Sequence, residues 1–232
     1  MSETIREEVM AETAREDILG KLKAAPQKTV PPRPYLPPMK EATLAGEEMV
    51  AYLMERLAAE AYTPFRVKDS REALDLLAKI AKEEGLTCVM MSTDDVVAPL
   101  GLPAWGREHG VEVMQPGQFE DRQSYKDAIF DRAQASVTGA SFVVAETGSL
   151  GMAHGTRNPR LLTLAPILHI VLIPVDHVVP VLDAVVGTVF GQKGKYPSQF
   201  SFATGPSLTG DITGYLFRGM HGPRRVMAIV IG

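Results

Sequence analysis

Apolar and polar positions along this chain keep two rhythms. Thr43 to Ala61 has the helical one, with Met49, Val50, Leu53 and Leu57 on one face. Asp69-Ser70-Arg71-Glu72 resembles a capping box, and the helix it opens buries Leu74, Leu77, Ala78 and Ala81 before Gly85 stops it. Short, nearly all-apolar runs follow the strand rhythm: 64–67, 86–91, 111–114, 141–145, 167–173 and 226–231, with 149–153 as a return strand after Thr147-Gly148. Residues 94–100 and 103–109 read as short helices. Ser124-Tyr125-Lys126-Asp127 caps another that runs towards Ala135, and Pro180 starts a further one at its favoured first position. That last helix turns Val181, Leu182, Val185, Val186 and Val189 inward. Residues 190–225 are rich in glycine and turn residues and read as long loops. Apolar strands alternating with helices predict an α/β fold, a mostly parallel sheet covered by helices on both faces.

Ahead of this domain, residues 2–24 carry six acids and four bases around a thin apolar stripe of Ile5, Val9, Ile18 and Leu22. Such a helix buries little area alone. Residues 26–38 hold six prolines and form a stiff, extended linker. The chain therefore divides into an N-terminal helical arm with its linker (1–39) and one domain (40–232). The arm either docks on another subunit, giving a homo-oligomer, or is a mobile tail.

Length and composition narrow the function. A chain of 232 residues, 45% hydrophobic and 22% charged, builds one well-buried core. The net charge of −4 gives no argument for nucleic acid. The single cysteine, Cys88, excludes an internal disulfide and an iron–sulfur cluster ligated by this chain alone; lying in the 86–91 run, it reads as buried and inert. No apolar stretch reaches the length of a membrane span and the N-terminus is no signal peptide, so a cytoplasmic location is expected. The five histidines lack metal-ligand spacing, so no metal is assigned. There is no Gly-x-Gly-x-x-Gly and no Walker loop.

Candidate chemistry gathers in two places. Glu146 ends a strand beside Thr147, Gly148 and Ser149, where a carboxylate serves as base, nucleophile or hydroxyl ligand, or else only caps the turn or pairs with an arginine. Arg157 and Arg160, in the loop from His154 to Arg160, suit a carboxylate or phosphate, or form a solvated loop or a bridge to Glu146. The stretch from Gly191 onward has Lys193, Lys195, Arg218, Arg224 and Arg225 against the single acid Asp211, which suggests a small anionic ligand or an acidic partner. Gly205, Ser207, Thr209 and Asp211 line a pocket, or cap a helix over 212–217. His221, before Gly222-Pro223, sits in a constrained turn able to donate to a ligand or exchange a proton. His169 reads as a satisfied core histidine, His154 and His177 as surface residues.

A resemblance adds to this. The blocks Thr138-Gly139-Ala140, Ala145-Glu146-Thr147-Gly148-Ser149-Leu150 and Val175-Asp176-His177-Val178-Val179-Pro180, then 205–212 and His221-Gly222-Pro223, resemble the LUD domain in order and spacing over roughly residues 40–232. That family includes the C subunit of the bacterial three-component L-lactate utilisation system. The resemblance implies a fold related to the ribose-5-phosphate isomerase, glucosamine-6-phosphate deaminase and CoA-transferase group. Glu146-Thr147-Gly148 is similar to the glutamate turn of the CoA-transferases, without the asparagine often found there. The expected function is a part in oxidising L-lactate to pyruvate, with no cofactor in this chain and iron–sulfur clusters in partner subunits. The alternative is a stand-alone enzyme acting through Glu146 on a CoA ester, a sugar phosphate or a folate.

Overall fold

The computed structural model describes residues 3–26, 43–185, 197, 199–210 and 214–232. The chain forms two compact units, Met1–Pro38 and Met39–Gly232. In the first, α1 (Glu3–Ala24) has Ile18 and Leu22 well exposed and a Lys21–Asp17 pair one turn apart at 2.6 Å.

The second unit is built on six parallel strands. β1 (Thr63–Val67), β2 (Cys88–Met91), β3 (Glu112–Met114), β4 (Ala135–Gly139), β7 (Leu168–Pro174) and β12 (Arg225–Ile231) lie in the order β1-β12-β7-β4-β2-β3. Successive side chains point to opposite faces. Val89 and Met91 pack with α3 (Ser70–Glu84), α4 (Leu102–His109) and Trp105, while Cys88 and Met90 pack with Ile129 and Leu162. α3 has both predicted stops. Asp69 accepts from the Arg71 and Glu72 amides, Glu72 accepts from the Lys68 amide, and Gly85 takes φ 64.

The other face is shared. α2 (Gly46–Ala59) covers part of it through Val50, Leu53 and Leu57, together with a second sheet ordered β8-β5-β6-β9. Its strands are β5 (Phe142–Val144), β6 (Ser149–His154), β8 (Val178–Val179) and β9 (Gln199–Ala203), with β5 and β8 parallel and the other pairings antiparallel. The chain changes sheets within two residues: the Ala140 amide still donates to Leu172 of the large sheet, and the Ser141 amide donates to Gly151 of the small one.

Four expectations are corrected. The helix before β4 is capped by Asp121 rather than Ser124, runs as α5 (Arg122–Asp127) and finishes in a π turn, Ala128–Arg132. After β7 the chain forms β8, and residues 182–185 are helical; Leu182 is exposed, Val181 and Val185 are buried, and Val186 and Val189 lie outside the described residues. The supposed loops of 190–225 contain β9 and an antiparallel ribbon of β10 (Leu208–Gly210) and β11 (Leu216–Arg218). Phe200-Ser201-Phe202 is a period-two signal that the surrounding glycines outweighed, and β11 replaces the helix proposed over 212–217.

Candidate functional site

Ligands in open α/β sheets bind beyond the carboxyl ends of the parallel strands. Those ends are Met91, Gly139 and Pro174, and a cavity of about 470 Å³ lies beside them. Asp94, Asp95, Gly139, Ser141, His154, Arg157, Asn158 and His177 are among its lining residues. Asp94 is its frame. One carboxylate oxygen accepts from the Val96 and Val97 amides, each at 3.0 Å, and the other from the Gly139 amide at 3.0 Å and Ser92 Oγ at 2.7 Å. The carboxylate thus ties β2 to β4, and Gly139 is required there: a Cβ would stand 2.6 Å from Asp94 Oδ1 and from Val96.

Arg157 reaches this cavity from the loop after β6. Its Nε donates to Thr93 O at 2.8 Å and its Nη2 to Asp95 at 2.7 Å. The pair lies in solvent, and the neighbouring guanidinium holds the Asp95 carboxyl below its usual range. Solvent screens an exposed pair of this kind, so it contributes little to stability. An incoming carboxylate therefore displaces Asp95 at small cost, while the bond to Thr93 O keeps the guanidinium aimed.

Two histidines expected at the surface belong to this site. His177 Nδ1 lies 2.8 Å from Ala140 O. A carbonyl only accepts, so Nδ1 carries the proton and the neutral ring has Nε2 as an acceptor. His154 is buried, with Nδ1 3.2 Å from Asn158 O and Nε2 2.7 Å from Ser201 Oγ, and burial pushes its pKa down. Asn158 is buried beside it, and its Oδ1 has no partner among the described residues. A buried carbonyl oxygen left unpaired costs about 1–3 kcal/mol.

A second cavity, about 320 Å³, lies where β7 and β12 begin. It gathers Gly205, Ser207, Thr209 and His221 from the predicted set, with Thr163 and His169. Gly205 has φ 84, and a Cβ on it would collide with Glu60 O, so glycine is required on both counts. Asp211 lies outside the described residues, as do Lys193 and Lys195.

The LUD domain family profile matches residues 50–231. The chain belongs to the LUD domain family. Among its relatives is a protein named Lactate utilization protein C from Deinococcus radiodurans, 32% identical over 59% of this chain; the match spans 62% of that protein, under two thirds of its length. Lactate utilization protein C 1 of Bacillus mycoides is 25% identical over 81% of each chain, and Lactate utilization protein C of Geobacillus kaustophilus 25% identical over 93% of each. A crystal structure of a DUF162 family protein from Deinococcus radiodurans aligns with TM-score 0.56 at 22% identity, over 82% of this chain and 99% of that one, and so shares the fold.

Within this LUD domain the candidate residues fall into three groups. Arg157 lines the carboxyl-edge cavity, while Arg160 opens a short 3-10 turn and does not line it. Gly205, Ser207, Thr209 and His221 line the second cavity. Glu146, Thr147, Gly148 and Ser149 form the tip of the β5–β6 hairpin, with Glu146 half-buried and its amide donating to Pro180 O. A Cβ on Gly148 would stand 3.3 Å from the Arg56 backbone, so the close approach that this glycine permits is occupied by α2 of the chain itself. Thr147, Ser149 and Thr204 join hydroxyls at 2.7 Å each, leading from the hairpin tip towards Gly205. Because β5 belongs to the small sheet, Glu146 at its end is not at the carboxyl edge of the parallel strands, where Asp94, Ser141 and His177 line the cavity. The sequence signal for that edge was Ser92-Thr93-Asp94-Asp95, polar residues directly after an all-apolar strand.

Among the described residues, no helix is long and apolar enough to cross a membrane, and no group of three metal-ligating side chains is found.

Proposed function

We propose that this LUD domain protein works in bacterial L-lactate utilisation, in the cytoplasm, alongside iron–sulfur subunits that carry the electrons as L-lactate is oxidised to pyruvate. The reading rests on relatives named Lactate utilization protein C, one aligned over 93% of each chain. The carboxyl-edge cavity supplies the binding chemistry: a small carboxylate pairs with Arg157, and a ligand hydroxyl reaches His177 Nε2. Oxidation releases two electrons, which need a redox centre that a lone Cys88 does not supply. Lactate-dependent dye reduction by the reconstituted subunits tests this. Activity requires this chain and falls at least tenfold with Arg157→Gln; full activity without the chain refutes the role. The exposed Ile18 and Leu22 of α1 suit an oligomer contact through the arm, which removal of residues 1–39 abolishes in sedimentation.

A second reading rests on Glu146, half-buried at a hairpin tip. There its carboxylate attacks the thioester carbonyl of a CoA ester, forming an acyl–glutamyl anhydride as the C–S bond breaks and the CoA thiolate leaves. Peptide mass spectrometry after incubation with an acyl-CoA finds a shifted mass on Glu146, and an unchanged mass removes the reading.

A further inference from the structure

We propose that the second cavity, where β7 and β12 begin, is a binding site for a small uncharged molecule, with His169 Nδ1 as its fixed hydrogen-bonding anchor. His169 is 2% exposed, on a central strand, and reads from sequence as a core residue. One ring nitrogen is satisfied: Nε2 lies 2.8 Å from Thr138 Oγ1. The other, Nδ1, has no partner among the described residues, and the ring lines the cavity. A core histidine with no further role is closed in by apolar groups or satisfied at both nitrogens. This one lines a space with polar groups on its wall and has a ring nitrogen with no partner among the described residues.

Those groups complement one another. Thr163 Oγ1 donates to Arg160 O at 2.9 Å, so its lone pairs are available to a ligand. Ser207 Oγ accepts from the His221 amide at 3.2 Å, so its hydrogen is available to donate. Leu150, Ala203, Leu208, Pro223 and Val226 supply an apolar side. The volume, about 320 Å³, equals roughly ten water-sized units, which sets the ligand at about ten non-hydrogen atoms.

The wall also selects charge. None of the described lining residues carries a permanent charge, and burial holds the His169 imidazole neutral, with a pKa pushed down to about 3. An anion entering here loses hydration without gaining a counter-charge. The ligand is therefore uncharged, with an apolar face and at least two hydrogen-bonding groups, unlike the anion proposed for the carboxyl edge.

Benzamide and benzoate test this, being nearly the same shape and differing in charge. The full chain, labelled with ¹⁵N-histidine, is titrated with each while the imidazole nitrogens are followed by NMR. Benzamide shifts His169 Nδ1 saturably, and benzoate binds at least tenfold more weakly. Ser207→Ala, on the half-exposed rim, weakens benzamide at least threefold, and His169→Phe at least tenfold. Arg157→Gln leaves benzamide unchanged, which separates this site from the proposed anion site. Absence of a His169 shift up to the solubility of benzamide, equal binding of benzoate, or unweakened binding in Ser207→Ala overturns the proposal, whether or not His169→Phe folds.

Discussion

Asp94 accepts four hydrogen bonds through one carboxylate, and its removal has a calculable effect. Asp94→Ala strips the cap from the turn that accommodates the Val96 and Val97 amides, which costs about 0.5–2 kcal/mol. It also leaves the buried Gly139 amide without its acceptor, at about 1–3 kcal/mol. The sum is roughly 1.5–5 kcal/mol. At about 2–4 °C per kcal/mol for a domain of this size, the melting temperature falls by roughly 3–20 °C. Asp94→Asn separates the two parts. Its carbonyl oxygen still accepts from Val96 and Val97, but its amide nitrogen then faces the Gly139 N–H, donor against donor, so about half of the loss remains. Urea unfolding of the three proteins at pH 7 measures both steps. An alanine variant within about 0.5 kcal/mol of wild type, or an asparagine variant as damaged as alanine, refutes the assignment of Asp94 as the tie between β2 and β4.

Burial also sets the response to acid. His169 has a pKa of about 3 when folded, against about 6.5 when unfolded, so the unfolded chain takes up the proton first and stability falls as pH drops through 6.5. At pH 5 that loss is about 2 kcal/mol, and His154 adds in the same direction. Glu47, Glu84 and Asp95, held low by arginines, weaken the fold only below about pH 4.5, so unfolding at pH 6.5 and pH 5 isolates the imidazoles, and the difference shrinks in His169→Phe. Gly205→Ala combines a positive φ with a collision against Glu60 O, and thermal melting registers a loss above about 2 kcal/mol. Glu84→Gln breaks a pair with Arg225 at the surface and changes unfolding free energy by under about 1 kcal/mol. Cys88 is buried with its thiol pushed up to about 11, so it reacts with a thiol reagent only as fast as the domain opens.

The fold was legible where local pattern and tertiary packing agree. The 167–173 and 226–231 runs are nearly all apolar because β7 and β12 are covered on both faces, and the Asp69 cap and Gly85 stop need only their own neighbours. It was not legible where tertiary pairing decides. Gly139-Ala140-Ser141 looks like an approach to the next strand, yet it is where the chain leaves one sheet for another, because the Ala140 amide pairs with Leu172 of the large sheet and the next amide, Ser141, with Gly151 of the small one. Thr138 and His169 belong to adjacent strands and meet only through register. The site fared likewise. Arg157 could be singled out by type, but its partner Asp95 is 62 positions away in sequence. His154 was placed at the surface because its loop is polar, and β9, unseen in the sequence, buries it through Ser201.

That sheet change separates chemistry which the sequence placed together. Ser141, at the carboxyl-edge cavity, and Glu146, at the hairpin tip, are separated by the three residues of β5, which span roughly 10 Å. Glu146 is not among the residues that line the cavity with Arg157. Loss of activity in both Arg157→Gln and Glu146→Gln therefore requires two ligands, or one long ligand such as a CoA ester lying along the hairpin. Loss in Arg157→Gln alone assigns the small carboxylate to the carboxyl edge and leaves Glu146 a turn residue. The pair of variants, assayed on the same reconstituted subunits, thus discriminates between the two readings of this LUD domain more sharply than either variant does alone.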